Sequence, residues 1–219
     1  MSTNNPNVRV PARDGEDLTT AASTGRLSWR VVDIVVAAVL GVAVGLIFWI
    51  WNSVGSAWYG AMDALTPGLG GIAAGIWFLG GPLGGFIIRK PGAALLVEVI
   101  AASVSALIGN IWGITTLYSG LAQGILAELV FLIFAYRRWD MTTAMLSGAA
   151  AGLGAWLLEL FTTPNLPKGF GYNAIYLTTN LISGLILAGL LAWALTKALA
   201  STGALDRFAS GRTQRVATK

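Results

Sequence analysis

Three carboxylic acids interrupt stretches that are otherwise apolar: Glu98, Glu128 and Glu159. A charged carboxylate facing lipid is costly, so such a group belongs on a face turned toward packed protein or a wet cavity. At helical spacing each acid shares its face with small residues. Glu98 aligns with Ala101, Ala102, Ser105 and Gly109, Glu128 with Gly120 and Gly124, and Glu159 with Gly148, Ala151, Gly152 and Ala155. Small residues mark the faces on which membrane helices approach one another, so all three acids are expected inside a bundle. Counting from the nearest basic turn puts Glu98 and Glu128 roughly 12–13 Å deep, near a bilayer midplane, with Glu159 near the opposite surface. No basic residue lies at that depth to neutralise them. Each acid is then protonated, hydrogen-bonded in a wet cavity, bonded to the backbone of a neighbouring helix or met by a cationic ligand, and for Glu159, near the surface, solvation alone can suffice.

Other residues extend this chemistry. Tyr172, Tyr176 and Asn180 recur every four positions along the last apolar stretch. Asn110, Trp112 and Tyr118 fall at one connection, with Gln123 and Trp77 deeper. Aromatic faces stack on flat rings and attract cations. An amide offers both donor and acceptor to the edge of a heterocycle. The tyrosine and asparagine stripe serves interhelical packing equally well. The expected substrate-binding set is Glu98, Asn110, Gln123, Glu128, Trp77, Trp112, Tyr172, Tyr176 and Asn180. It describes an outward-opening pocket without a basic residue, suited to a flat, cationic, nitrogen-rich molecule.

The elements that must carry these residues are transmembrane helices. The chain has 219 residues, 55% hydrophobic and only 11% charged, against about 25% charged in a soluble domain. Six apolar blocks are expected to span: 31–51, 69–88, 93–108, 114–136, 141–161 and 174–195. Each approaches what a ~30 Å hydrocarbon core requires; the third is short. With the N-terminus in the cytoplasm, thirteen of the fourteen basic residues lie inside and only Lys168 outside. That bias sets the topology, with both termini cytoplasmic in a cell membrane. It also disperses the net charge of +4 between spans, so no nucleic-acid patch is expected. Residues 1–28 read as a disordered cytoplasmic tail rather than a signal peptide, 29–199 as the six-helix domain, and 200–219 as a basic cytoplasmic tail. The segment 53–68, with Trp58, Tyr59 and Asp63, reads as an outer loop. Trp29, Trp49, Trp51, Trp58 and Trp139 fall near the expected interfaces.

The first block also carries Ala37, Gly41 and Gly45, a small-residue ridge that either docks a partner subunit or packs internally. The chain has no cysteine or histidine and no phosphate-binding loop of the Walker type. Disulfides, most zinc sites and the commonest general base are therefore excluded. No cofactor is expected, and no enzymatic activity. A lipid-modifying enzyme would have only a carboxylate pair to work with. The remaining alternatives are a stand-alone proton-coupled carrier using Glu98 and Glu128 as a relay and a purely structural assembly partner. ATP-driven uptake would need a separate ATPase.

The segments GIWFLGGPLGGFIIRKPGAALLVEVIAASVSALIGN (75–110) and QGILAELVF (123–131) resemble the YkoE family. These are S components of energy-coupling factor (ECF) transporters linked to thiamine or its hydroxymethylpyrimidine precursor. The similarity runs from about Trp29 to Phe208, including TGALDRF after the last helix. It implies a six-helix S-component bundle binding a thiamine-class molecule near the outer face. Its partners would be a transmembrane coupling subunit and two ATPase subunits. Glu98, Asn110, Gln123 and Glu128 are the motif positions implied as ligand contacts, and Arg89 and Lys90 are implied as partner contacts. The histidine used by other thiamine-binding S components has no counterpart here.

Overall fold

The computed structural model describes residues 27–211, and the terminal stretches assigned to tails lie in part outside them. Helix α1 spans Val31–Leu65. Its start is fixed by Asp33, which accepts from the Arg30 backbone N–H at 2.9 Å and pairs with the Arg30 guanidinium at 2.7 Å. The expected loop at 53–68 is instead mostly helix. Nothing in the sequence breaks the helix before Pro67, whose ring forces Thr66 into an extended conformation (φ −149°, ψ 122°). The chain then turns at Gly68 (φ 94°), whose N–H donates to Asp63 Oδ1 at 2.7 Å.

The second span is central and discontinuous. It begins as a 3-10 helix, Leu69–Phe78, and continues as α2, Gly80–Ile88. The hydrogen-bond pattern changes across Pro82. Leu79 N–H bonds the Ile76 carbonyl three residues back, whereas Leu83 N–H bonds the Leu79 carbonyl four back. Pro82 has no N–H with which to join the two patterns. All of α2 is buried.

The remaining spans are α3 (Ala93–Ile108), α4 (Thr115–Ile133), α5 (Met141–Thr162) and α6 (Gly169–Ser183). A π-helical segment, Gly184–Leu190, carries α6 into α7, Leu191–Ser201. Among the described residues, five spans are long and apolar enough to cross a bilayer, and Ala93–Ile108 is the shorter sixth. Among the described residues the fold is all-helical. Trp29 Nε1 donates to the Pro91 carbonyl and Ser210 Oγ to the Ile87 carbonyl. Both ends of the described chain therefore meet the α2–α3 turn, at one end of the bundle. Residues 202–211, expected in a tail, fold back there, with Leu205, Phe208 and Ser210 buried. The expectation saw their basic neighbours and not their apolar spacing.

Glycines let the helices touch. The ridge Ala37, Gly41 and Gly45 is buried, and it packs internally rather than offering a docking face. A Cβ on Gly41 would strike Ile100, and one on Gly45 would strike Val104, both on α3. The partner role expected of that ridge is thereby corrected. Across the bundle, a Cβ on Gly148 of α5 would strike the Gly184 carbonyl oxygen, where the π segment begins.

Gly148→Ala should therefore lower the thermal midpoint in detergent, by the ~1–3 kcal/mol typical of overpacking. Gly60→Ala, in open space on α1, should leave it unchanged or raise it. Asp140 caps α5 by accepting from Thr143 N–H at 2.8 Å, and this bond holds its carboxyl below the usual carboxylate range. A depressed folded value gives stability that is present above the unfolded pKa and lost as pH falls through the folded one. Asp140→Ala should cost about 1 kcal/mol at neutral pH, and the difference from the parent should shrink in acid, measured by thermal unfolding across pH.

Candidate functional site

The break in the second span leaves backbone groups that the helices cannot satisfy, and side chains of α3 and α4 complete them. Gly81 N–H donates to Glu98 Oε2 at 2.6 Å. A Cβ at Gly80 would press on the same oxygen, so the carboxylate lies directly against the Gly80–Gly81 backbone. Glu98 is fully buried and sits at the amino end of α2, where the helix dipole favours negative charge. With its amide nitrogen turned toward them, Gln123 donates to the Trp77 carbonyl at 3.0 Å and to Glu98 Oε1 at 3.2 Å. The opposite orientation would set oxygen against oxygen.

This junction forms the floor of a cavity of about 530 Å³, within the range of small-molecule pockets. Trp77 and Trp112 meet edge to face there, centroids 5.6 Å apart. Trp77 Nε1 donates to Asn52 Oδ1 at 2.9 Å, and Asn52 Nδ2 donates to Ser105 Oγ at 3.0 Å. A second polar group stands nearer the α5–α6 connection. Tyr176 Oη donates to Glu159 Oε2, and Tyr59 crosses Tyr176 edge to face at 6.1 Å. Lys168 also lines the cavity. Its ammonium donates to Asn165 Oδ1 at 2.9 Å and lies 4.1 Å from the Tyr172 ring centre.

The structure thus brings Glu98, Gln123, Trp77, Trp112 and Tyr176 to one cavity, together with Tyr118 and Glu159. It does not bring the other four expected residues to the lining. Glu128 accepts from Gly92 N–H at 2.7 Å, from Ala94 N–H at 2.8 Å and from Tyr136 Oη at 2.7 Å. It therefore caps the start of α3 beside the basic turn rather than sitting at the midplane. The depth count assumed a helix continuing to Arg137. The chain leaves α4 at Ile133 and curls through left-handed Ala135 and Tyr136, so Tyr136 reaches back to the acid. Asn110 Oδ1 accepts from Trp112 and Gly113 N–H, at 2.9 and 2.8 Å, and so shapes the turn that holds Trp112. Tyr172 stacks on Tyr176 beneath Lys168. Asn180 is buried and donates to the Tyr176 carbonyl at 2.9 Å.

The expectation of a pocket without a basic residue is corrected by Lys168. It enters from the α5–α6 connection, a place that depth counting treats as solvent. Asn52, Tyr59 and Ser105 also line the cavity and were not in the expected substrate-binding set, although Ser105 shares the Glu98 face. Ending the first span at Trp51 left Asn52 and Tyr59 outside it, although they continue the face of Gly45 and Phe48 at helical spacing. Arg89 and Lys90 sit at the other end of the bundle. The Arg89 guanidinium lies 5.1 Å from the Trp139 ring centre and donates to the Phe86 carbonyl.

Six apolar helices around a ligand-sized cavity define a multi-pass membrane protein. Residues 32–154 match the family model described as the permease component of an ABC-type cobalt transport system. The chain is 35% identical over 187 residues to the HMP/thiamine permease protein YkoE of Bacillus subtilis (strain 168), covering 84% of this chain and 92% of that one. A crystal structure of an S component of an ECF transporter superposes with a TM-score of 0.82 at 34% identity, covering 87% of this chain and 95% of its own. The chain belongs to the S components of ECF transporters. That family is a transporter component and not a class of enzyme.

Removing the Glu98 side chain should leave the Gly81 N–H unpaired in the bundle. Glu98→Ala should cost about 1–3 kcal/mol, and Glu98→Gln, which keeps an acceptor oxygen, should cost less. Thermal unfolding of both variants in detergent checks this; no loss from Glu98→Ala would mean that the carboxyl is not what holds the break.

Proposed function

We propose that this chain is the substrate-capturing subunit of an ECF importer for thiamine or its hydroxymethylpyrimidine precursor. It sits in the plasma membrane with the basic end of the bundle in the cytoplasm and takes its ligand from outside. A transmembrane coupling subunit and two ATPase subunits supply the energy. The observation that carries this reading is the cavity floor, where Glu98 and the Gln123 amide face a space walled by Trp77 and Trp112. A carboxylate beside an amide can hydrogen-bond the edge of an aminopyrimidine, and indole faces attract a cationic ring. The name of the Bacillus relative supports the same ligand class.

Two observations favour this reading over its alternatives. Among the described residues, no three His, Cys, Asp or Glu side chains gather as metal ligands, so the lining suits an organic molecule better than a bare divalent ion. A proton relay through Glu98 and Glu128 has little support, because Glu128 is engaged at the start of α3 and absent from the cavity lining.

Nine tryptophans make ligand binding readable as fluorescence quenching in detergent. Thiamine and hydroxymethylpyrimidine should quench saturably, while riboflavin and biotin should not. Glu98→Gln should weaken thiamine about tenfold or more, the worth of a charge-assisted contact. The neutral pyrimidine should suffer less. Strong binding of an anionic compound with none of thiamine would overturn the proposal.

A further inference from the structure

A second concavity lies on the outer surface of the bundle, away from the substrate cavity. It is a groove of about 340 Å³ with a wholly apolar lining. It is lined by Val130 and Ile133 of α4, Phe134, Leu146 and Leu153 of α5, and Leu181 of α6. Its floor is low because Ala149 and Ala150 put only a methyl group where their neighbours carry leucine. Leu146 and Leu153 are five and twelve residues into α5, roughly 8 and 18 Å from its start. The groove therefore occupies the half of the bilayer on the side of the α4–α5 turn.

That turn carries Arg137 and Arg138, both exposed. The Arg138 guanidinium lies 5.4 Å from the ring centre of Phe134, itself a groove residue. The acid on the same turn, Asp140, accepts from both the N–H and the hydroxyl of Thr143 and also interacts with the Arg138 charge, so the turn keeps a net positive charge rather than two uncompensated cations. An apolar slot of one-leaflet depth thus ends at a turn of net positive charge.

We propose that this groove is a binding site for one anionic phospholipid, with an acyl chain in the slot and its phosphate on Arg137 and Arg138. The charge of the turn selects an anionic head group, and the wholly apolar lining leaves a hydrocarbon chain as the complementary filling. Arginine suits the phosphate because its planar fork engages two oxygens at once. The face is built by α4, α5 and α6, opposite in role to the vitamin cavity, and the inference does not depend on which vitamin is bound.

The test is native mass spectrometry of the full chain from micelles containing equal phosphatidylglycerol and phosphatidylcholine. One phosphatidylglycerol should be retained with a preference of about tenfold or more, as two surface arginines allow. The double variant Arg137→Gln, Arg138→Gln should lose most of that preference. Ala150→Leu, which fills the floor, should lower retention of both lipids while the arginines stay in place. Thermal midpoints and vitamin-class quenching report whether the variants are folded. Equal retention of the two lipids by the parent protein overturns the proposal. So does retention unmoved by either folded variant.

Discussion

A break in the most buried helix of a membrane protein is tolerated only where neighbouring groups or ordered water satisfy the freed backbone. Here Glu98 and Gln123 do so, one taking the Gly81 N–H and the other giving to the Trp77 carbonyl. The rest of the architecture follows from that repair. Because the repairing groups come from α3 and α4, those helices are tied to the central span at the level of the break. The two groups that satisfy the broken helix also line the cavity.

Two classes of contact then divide the labour. Glycine contacts set how close the helices lie: Gly41 and Gly45 against α3, Gly148 against Gly184, and Gly84 and Gly85 of α2 against Val97 and Phe131. They lie outside the cavity lining. Polar contacts run up the cavity wall from Glu98 through Gln123, Trp77, Asn52 and Ser105, and reappear near the mouth as Glu159, Tyr176 and Tyr59. Of the two classes, only the second lines the cavity.

The opposite end of the bundle is electrostatically distinct. Arg30 is paired with Asp33, Arg89 lies over Trp139, and Arg138 lies over Phe134. Cations that stack on aromatic rings keep their charge near the membrane surface while shielding apolar groups below. This end also receives the segment after α7, through Leu205, Phe208 and Ser210. It is more elaborate than its short turns suggest.

What the sequence determined by itself was solvent and the distribution of charge: lipid around six apolar blocks, basic residues gathered in the connections of one end, and carboxyls that had to face inward. Those follow from composition and one-dimensional spacing, because the cost of placing charge in oil does not depend on the fold. The family motif from Gly75 to Asn110 was legible as well, for it contains both the broken span and the acid that repairs it. Tertiary structure alone decided which acids share a cavity. Glu98 and Glu128 look equivalent by depth and neighbours, yet one lines the cavity and the other caps α3, because the chain curls back at Ala135 and Tyr136. The same holds for Lys168 and Asn52, whose roles depend on where a connection and an overlong helix come to rest. Spacing along a helix fixes a face, but only the packing of helices fixes what that face meets.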